Sequence, residues 1–501
     1  MRSLQSSLDI LPLSSIKENI YLIAANHLTL FTMTNSLVID DLQSTISKTR
    51  NAKYVETRYL SRITNEVNFS NGELETIRTV QNSGCGIRVL ADGCWGFSST
   101  NNVSSEALID SVAKAISAAR LLAETKKKKV TGLAQYDIIR GFFKTKVNTD
   151  LASVDIEDKI KIVREAELHA RKYSETIKSA SCIYHEILDH KIIVNSDGTE
   201  VEIYDSKPEF NIVSVARMGT ESVTISEGIG ITGGWQDLFL KKDPLEYATL
   251  ASEKATKLLG AKHVTGEKTT LILDPGMVGL ISHEAMGHMV EADFVLSGSI
   301  VRDKIGHKIA SELITLVDSG QSNIVANAAG TIPVDDEGVM AGRTVIIENG
   351  ILKSFLHNRE TALIFDAKPT GNARAFEYSD DPIIRMRNTF IEPRNDKLDD
   401  IIRETRHGYL IKGPRNGQAD ANGEFMFGSQ EVYMIEKGEI QEPMKGASIS
   451  GNAFDVLQSV DMVGNDFEYD VGTGYCGKFQ PAKVDGGGPH IRCNAIIGGL
   501  Q

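Results

Sequence analysis

The sequence is poor in cysteine, has no long apolar run and carries no excess of positive charge. Its five cysteines among 501 residues form neither a dense framework nor a CxxC pair, so we expect free thiols and a cytoplasmic location. No apolar run approaches the roughly 20 residues of a membrane span. The apolar segment 20–31 is interrupted by Asn26 and His27 and does not predict a signal peptide. A formal net charge of -13 argues against nucleic acid as a partner.

Composition and periodicity predict an α+β protein of two domains. The chain is 41% hydrophobic and 24% charged, as in an ordinary globular protein. We expect a loose N-terminal extension over 1–32, an N-terminal mixed α/β domain over 33–262 and a β-rich C-terminal domain over 263–501 that carries the motif described below. Helices are predicted at 33–52, 104–124, 155–173, 244–259 and 453–459. Strands are predicted over 54–97 and 179–232. Hairpins are predicted with strands 343–348 and 351–357 around Asn349-Gly350, and with strands 431–436 and 439–443 around Lys437-Gly438.

The stretch with the clearest chemistry is His283-Glu284-Ala285-Met286-Gly287-His288. Histidine is the commonest metal ligand, and a neighbouring glutamate can activate water at a metal. A buried strand is predicted at 269–273, followed by a helix that begins with Asp274 as N-cap and Pro275 at the first helical position. The two histidines are therefore expected on a helix that leaves a strand.

The spacing of these histidines is unusual, because the common zinc-protease signature separates them by four residues and here they are five apart. On a regular helix five residues rotate by about 500°, which leaves the rings roughly 140° apart. The rings converge only if the helix widens locally, as in a π-bulge, or unwinds. Gly287 would ease either distortion. The alternative is an ordinary helix with one exposed and one buried histidine.

A third ligand is not decided by the residues alone. The candidates are Cys476, Cys493, His490, His307, Glu291 and Asp293. Cys476 lies in a glycine-rich loop with Lys478 nearby to favour the thiolate, but a buried loop thiol explains it equally well. Strand alternation makes Cys493 a predicted core thiol, and the polar residues before His307 predict a surface turn. His357 and Arg374 are candidates to line a substrate cleft.

Two other stretches imitate known motifs without the context that those motifs need. Residues 228–233 match a dinucleotide-binding fingerprint by letter, but the next helix is expected only near Pro244, so we interpret them as a turn. Residues 335–338 are acidic but lack the alternation of a calcium loop, and an acidic turn is predicted instead.

The HExxxH motif and the β-rich tail resemble the TldD/TldE (PmbA) family of metalloproteases, also called modulators of DNA gyrase. The stretches that carry the resemblance are 283–288, 310–313, 317–318, 335–338, 348–350, 369–372, 386–389, 462–466 and 474–478. A complete HExxxH motif is a feature of the TldD-like branch. The resemblance implies a zinc ion held by His283, His288 and Cys476, with Glu284 as the motif glutamate. It also implies a homodimer, or a heterodimer with a TldE-like paralogue, that cleaves short or unfolded peptides.

Two functional hypotheses follow from these features. In the first, the protein is a zinc-dependent peptidase with Glu284 as general base on zinc-bound water. In the second, it is a non-catalytic binding or adaptor protein with a structural metal that modulates a partner such as a topoisomerase. Structural zinc is normally closed by four protein ligands, so three ligands beside a free glutamate would favour the enzyme.

Overall fold

The computed structural model describes residues 38–322, 324–420 and 422–499. The expected extension over 1–32 and the expected start near Met33 lie outside these residues. The first described helix, α1, covers 38–48 within the predicted range 33–52. The structure is a mixed α/β, strand-rich fold, and among the described residues no helix is long and apolar enough to cross a membrane.

The N-terminal part contains one sheet of seven strands in the order β3-β2-β1-β5-β6-β4, with β7 also paired to β6. Its central strands are long and antiparallel, and the β1–β2 turn uses Asn71 and Gly72, both with positive φ. The strands are β1 (Tyr54–Ser70), β2 (Glu73–Ala91), β3 (Cys94–Thr100), β4 (Arg140–Lys144), β5 (Ile177–Asn195), β6 (Glu200–Met218) and β7 (Glu221–Gly230). Because β4 and β7 pair with different halves of β6, β7 forms part of an outer edge of the sheet.

Helices cover one face of this sheet. They are α1, α2 (Ser105–Thr125), α3 (Ile156–Lys172), α4 (Trp235–Leu238) and α5 (Pro244–Lys257), with a 3₁₀ turn at Leu151–Ser153. On β5, Cys182 and Tyr184 pack with α3 and α5, whereas Ile192 and Val194 pack with α1 and α2. These even positions share one face, so both helix pairs lie on the same side. Residues 228–230 were interpreted as part of a turn, but they form the end of β7. The next helix was expected near Pro244, but the short helix α4 comes before it.

The opposite face of the N-terminal sheet packs against the C-terminal half through buried and half-buried ion pairs. Arg88 lies 2.6 Å from Glu337, and Lys191 lies 3.0 Å from Asp336. The acidic turn predicted at 335–338 is therefore buried: Asp336 and Glu337 neutralise cations of the sheet, and Asp335 accepts hydrogen bonds from backbone N–H groups.

Two larger sheets form the C-terminal half. One has the order β15-β8-β24-β18-β16-β17 with β19 paired to β24, the other has the order β11-β10-β9-β14-β23-β20, and β12-β13 and β21-β22 are small ladders. The strands are β8 (Glu267–Leu273), β9 (Leu316–Ser319), β10 (Arg343–Glu348), β11 (Ile351–Leu352), β12 (Ala373–Arg374), β13 (Ile383–Ile384), β14 (Asn388–Ile391), β15 (His407–Ala419), β16 (Glu424–Glu436), β17 (Glu439–Lys445), β18 (Ala447–Asn452), β19 (Met462–Val463), β20 (Glu468–Tyr469), β21 (Tyr475–Cys476), β22 (Ala482–Lys483), β23 (Asp485–Gly488) and β24 (Ile491–Gly499). The helices are α6 (Pro275–Leu280), α7 (Ala292–Leu296), α8 (Arg359–Ile364), α9 (Leu398–Arg403) and α10 (Ala453–Gln458).

The hairpin at Asn349-Gly350 is confirmed, but its second strand ends at Leu352 and not at the expected residue 357. The chain leaves the hairpin because it pairs with the segment behind the histidine motif. The Leu356 N–H donates to the Val290 carbonyl, and the Ala292 N–H donates to the Leu356 carbonyl, both at 2.9 Å.

Candidate metal centre

The helix that carries the histidine motif starts as the sequence predicts. Asp274 accepts hydrogen bonds from the backbone N–H groups of Met277 and Gly413, both at 2.8 Å, and Pro275 occupies the first turn. The Gly413 bond also ties the helix start to β15. Strand β8, the Asp274 cap and the bond to β15 together fix where in the core the motif helix begins.

Beyond α6 the helix widens into a π-helix over Ile281–Gly287. The His288 N–H bonds to the carbonyl of His283, five residues back, so the five-residue spacing returns both rings to one side. Their centroids lie 5.1 Å apart at an angle of 84°. The predicted local widening is confirmed, and the alternative of diverging rings on a regular helix is wrong.

Gly287 serves this turn by its small size. Its φ of -58° and ψ of -47° are ordinary helical angles that any residue adopts. A Cβ at this position would lie 2.0 Å from the Met386 sulfur and 3.1 Å from the Ser282 carbonyl oxygen. The glycine is therefore required for close packing against Met386, and not for backbone freedom as the sequence suggested.

The structure brings Cys476 to the two histidines. Its Sγ lies 3.3 Å from His288 Nε2, and the ligand atoms of His283, His288 and Cys476 all lie within 4.8 Å of one another. Among the described residues no other set of three histidine, cysteine or carboxylate groups is so arranged.

The other third-ligand candidates have different surroundings. Cys493 is a core thiol on β24, as predicted, and His307 lies in an exposed turn. His490 directs Nδ1 to Asp466, and Asp293 binds the Lys478 ammonium.

Glu291 lies behind the histidine instead of in front of it. Its side chain is fully buried, and Oε2 lies 2.8 Å from His288 Nδ1. A carboxylate on Nδ1 keeps the proton there and leaves Nε2, which faces Cys476, as the ligand atom. Lys478 Nζ lies 3.1 Å from Glu291. The sequence placed Lys478 beside the thiol, whereas its hydrogen bonds go to Asp293 and a backbone carbonyl.

Electrostatics in this cluster favour a thiolate beside a charged imidazole. Burial opposes ionisation of Cys476, but the rings of His283 and His288 outweigh it and lower its pKa to about 3. Burial likewise opposes protonation of His288, but Glu291 and Cys476 raise its pKa to about 10. A thiolate is the form in which cysteine binds a metal.

The donor set fits a metal ion of the zinc type. His283 is 4% exposed, yet neither of its ring nitrogens has a hydrogen-bond partner. Buried polar atoms are rarely left without a partner, and a metal ion would satisfy one of these nitrogens. Tetrahedral zinc with Zn–S of ~2.3 Å and Zn–N of ~2.1 Å separates sulfur and nitrogen ligands by roughly 3.5 Å. The 3.3 Å between Cys476 Sγ and His288 Nε2 is close to that value.

The cluster opens on a cleft of about 1030 Å³. Glu284 lines this cleft beside His283 and Cys476, with its side chain 28% exposed and Oε2 3.8 Å from His288 Nε2. A carboxylate that faces the cleft next to the donor atoms is placed to exchange protons with a molecule bound there.

One wall of the cleft is the outer edge of β7, a feature that the sequence did not indicate. The side-chain amide of Gln430 pairs with the backbone N–H and carbonyl of Ser226 at 2.8 and 3.0 Å, as a neighbouring strand would. Gly228, two residues further, points its backbone groups the same way and lines the cleft. Residues of β15 also line the cleft, and its pairing with β16 shifts register between Pro414 and Gly417.

His357 and Arg374 do not line this cleft, contrary to expectation. His357 is 2% exposed and packs against Phe355 and Phe365. Arg374 is buried and donates to the backbone carbonyls of Met386 and Lys483.

A buried His-His-Cys cluster beside a cleft carboxylate, in a mixed α/β fold, is the arrangement of a metallopeptidase. Family profiles match over most of the chain: PmbA/TldA metallopeptidase domain 1 at residues 55–120, the central domain at 149–259 and the C-terminal domain at 265–497. A metalloprotease of Methanocaldococcus jannaschii is 36% identical, with 89% of this chain and 96% of that protein covered. The zinc metalloprotease TldD homolog of Saccharolobus solfataricus is 31% identical, with 89% and 97% covered. The chain belongs to the PmbA/TldD metallopeptidase family.

Solved structures share the fold. TldE from Thermococcus kodakarensis superposes with a TM-score of 0.74 at 21% identity, covering 91% of this chain and 99% of that one. A putative modulator of DNA gyrase from Thermotoga maritima gives 0.73 at 21% identity, covering 97% and 100%.

Proposed function

We propose that this chain is a zinc-dependent peptidase that hydrolyses peptide bonds in small or unfolded peptides. The observation that carries the proposal is the convergence of the His283, His288 and Cys476 donor atoms within 4.8 Å, next to Glu284 at the wall of an open cleft. A zinc ion held by these three residues would act as a Lewis acid that makes water more acidic and polarises a carbonyl oxygen.

Glu284 is the proposed general base. It is not one of the three donors, and its side chain reaches the cleft beside them. Its carboxylate would accept a proton from the attacking water and then deliver that proton to the leaving amine. Both transfers occur at one side chain, so no further acid is needed.

The outer edge of β7 supports an extended peptide as substrate. Gly228 directs a backbone N–H and carbonyl towards the cleft, beyond the pair on Ser226 that Gln430 occupies. A substrate strand added to this edge would be held through its main chain, which tolerates many sequences. Most strands of a folded protein are already paired, whereas a small or unfolded peptide has free backbone groups along its length, which supports such peptides as substrates.

The donor set also bears on the adaptor hypothesis. Structural zinc is normally closed by four protein ligands, whereas the described residues provide three. A position left for water or substrate supports the peptidase over a purely structural metal.

We also propose a division near residue 262 and a dimeric assembly. The N-terminal sheet ends with β7 at Gly230 and the C-terminal sheets begin with β8 at Glu267, which supports domains over 33–262 and 263–501. The proposed assembly is a homodimer or a heterodimer with a TldE-like partner, as membership of the PmbA/TldD family implies. A cytoplasmic location is proposed from the five unpaired cysteines.

The test is hydrolysis of a fluorogenic peptide mixture by zinc-loaded protein and by Glu284→Gln. We expect the variant to keep its zinc and its fold and to lose roughly 10²–10⁴-fold in turnover, because only the proton acceptor is removed. Glu468→Gln removes another carboxylate of the same cleft and serves as the matched control, with turnover near that of the unmodified protein. Unchanged turnover in Glu284→Gln would assign the base elsewhere, and a protein without bound zinc would end the proposal.

A further inference from the structure

Lys478 is a buried cation with unusually complete contacts. Its side chain is 3% exposed, and its Nζ lies 2.8 and 2.7 Å from the two carboxylate oxygens of Asp293 and 3.0 Å from the Ile384 carbonyl oxygen. The fully buried carboxylate of Glu291 lies 3.1 Å away, and the ammonium also stands 4.3 Å from the centre of the Phe294 ring. Burying an ammonium costs free energy, so this set of partners indicates that the Lys478 charge has a specific role at this position.

These contacts join the two segments that carry the candidate ligands. Lys478 follows Cys476 by two residues, so its position limits where that loop can lie. Glu291 follows His288 by three residues, and its Oε2 lies 2.8 Å from His288 Nδ1. The ammonium therefore ties the loop of Cys476 to the carboxylate that orients His288.

We propose that Lys478 is a positioning residue for the metal centre, acting on His288 through Glu291 and on Cys476 through their shared loop. This inference rests on the proposed function, since it concerns how the three ligands are held for zinc.

Charge balance gives the physical reason. Without Lys478, Glu291 would be a buried carboxylate close to the carboxylate of Asp293, with His288 as its remaining cationic partner. Repulsion between the two carboxylates would then displace Glu291 from its present position, and the imidazole would lose the well-placed acceptor that fixes its orientation. Loss of the same ammonium would also free the Cys476 loop from its attachment to Asp293 and Ile384.

The test compares Lys478→Met with Lys478→Arg by zinc affinity, measured by competition with a chromophoric chelator. The methionine keeps the length of the stem and removes the charge, whereas the arginine keeps the charge. We expect Lys478→Met to weaken zinc binding by roughly 10–100-fold, the usual cost of losing an outer-shell partner, and Lys478→Arg to recover part of that loss. Thermal unfolding of the zinc-free proteins measures stability separately. The control is Lys159→Met in helix α3: its ammonium is also on a side chain only 3% exposed and lies 2.7 Å from Glu186, but it contacts none of the candidate ligands, so its loss should lower the Tm and leave zinc affinity within a few-fold of the unmodified protein.

A purely structural lysine would lower the Tm of the zinc-free protein and leave the zinc affinity of the folded variant unchanged, and that result would overturn the proposal. If Lys478→Met does not fold, Lys478→Gln replaces it, because the amide can still donate hydrogen bonds to Asp293 and the Ile384 carbonyl but carries no charge to hold Glu291. Unchanged zinc affinity in that variant would equally overturn the proposal.

If the unmodified protein itself binds no zinc, the peptidase proposal fails. If it binds zinc and the variants bind zinc equally well, only the proposed role of Lys478 fails.

Discussion

Replacing Gly287 by alanine should damage the π-turn on which the histidine pair depends. The new Cβ would lie 2.0 Å from the Met386 sulfur, whereas nonbonded heavy atoms pack at roughly 3.5 Å. Either the new Cβ or the Met386 sulfur must therefore move by about 1.5 Å. Because Met386 is fully buried, its side chain cannot move into solvent. Overpacking of this kind costs about 1–3 kcal/mol, and the better helix propensity of alanine returns at most about 1 kcal/mol. We expect a net loss of about 1–2 kcal/mol, or roughly 2–8 °C in Tm for a domain of this size.

The assay is calorimetry of the zinc-free protein together with chelator competition for zinc. Gly477→Ala is the matched control, because it lies next to Cys476 and a Cβ there has nothing within 4 Å. We expect Gly287→Ala to lower both Tm and zinc affinity, and Gly477→Ala to change neither by much. Shortening Met386 to alanine should relieve the clash, so the double variant should lose less than the sum of the two single losses. A stable Gly287→Ala protein with normal zinc affinity would refute the packing argument.

Three further predictions concern the ligands and the core. Cys476→Ala should lose zinc and activity together, whereas Cys493→Ala should keep its zinc, as measured by elemental analysis; equal zinc content in both would place the third ligand elsewhere. Burial lowers the pKa of His357 to about 4, so the folded state takes up its proton less readily than the unfolded state. Stability should therefore fall by up to about 3 kcal/mol as pH drops from about 6.5 to 4, and His357→Phe should flatten that part of a Tm–pH curve. Arg387 and Asp318 form a fully buried pair at 2.8 Å, so Arg387→Met should cost about 3–5 kcal/mol in denaturant unfolding, and a loss below 1 kcal/mol would contradict the pairing.

Patterns local in sequence predicted much of the fold. Helices α2, α3 and α5 begin and end within a few residues of the predicted ranges, because a 3.6-residue apolar stripe and its caps are local properties. The start of α6 at Asp274 and Pro275 and the turn at Asn349-Gly350 have the same origin. The early end of β11 was missed, since hydrogen bonds to residues far away in sequence decided it.

The sequence by itself determined that His283 and His288 converge only if the helix widens or unwinds, because five residues of a regular helix leave the rings on different sides. The tertiary structure decided what holds that arrangement. Cys476 reaches His288 across 188 positions of sequence, and Lys478 reaches Asp293 across 185. The periodicity of apolar residues in the sequence does not predict such pairs, since they form only when folding brings distant segments within a few ångströms of each other. The same holds for Gly287, whose need for a small side chain is set by Met386 on a distant segment.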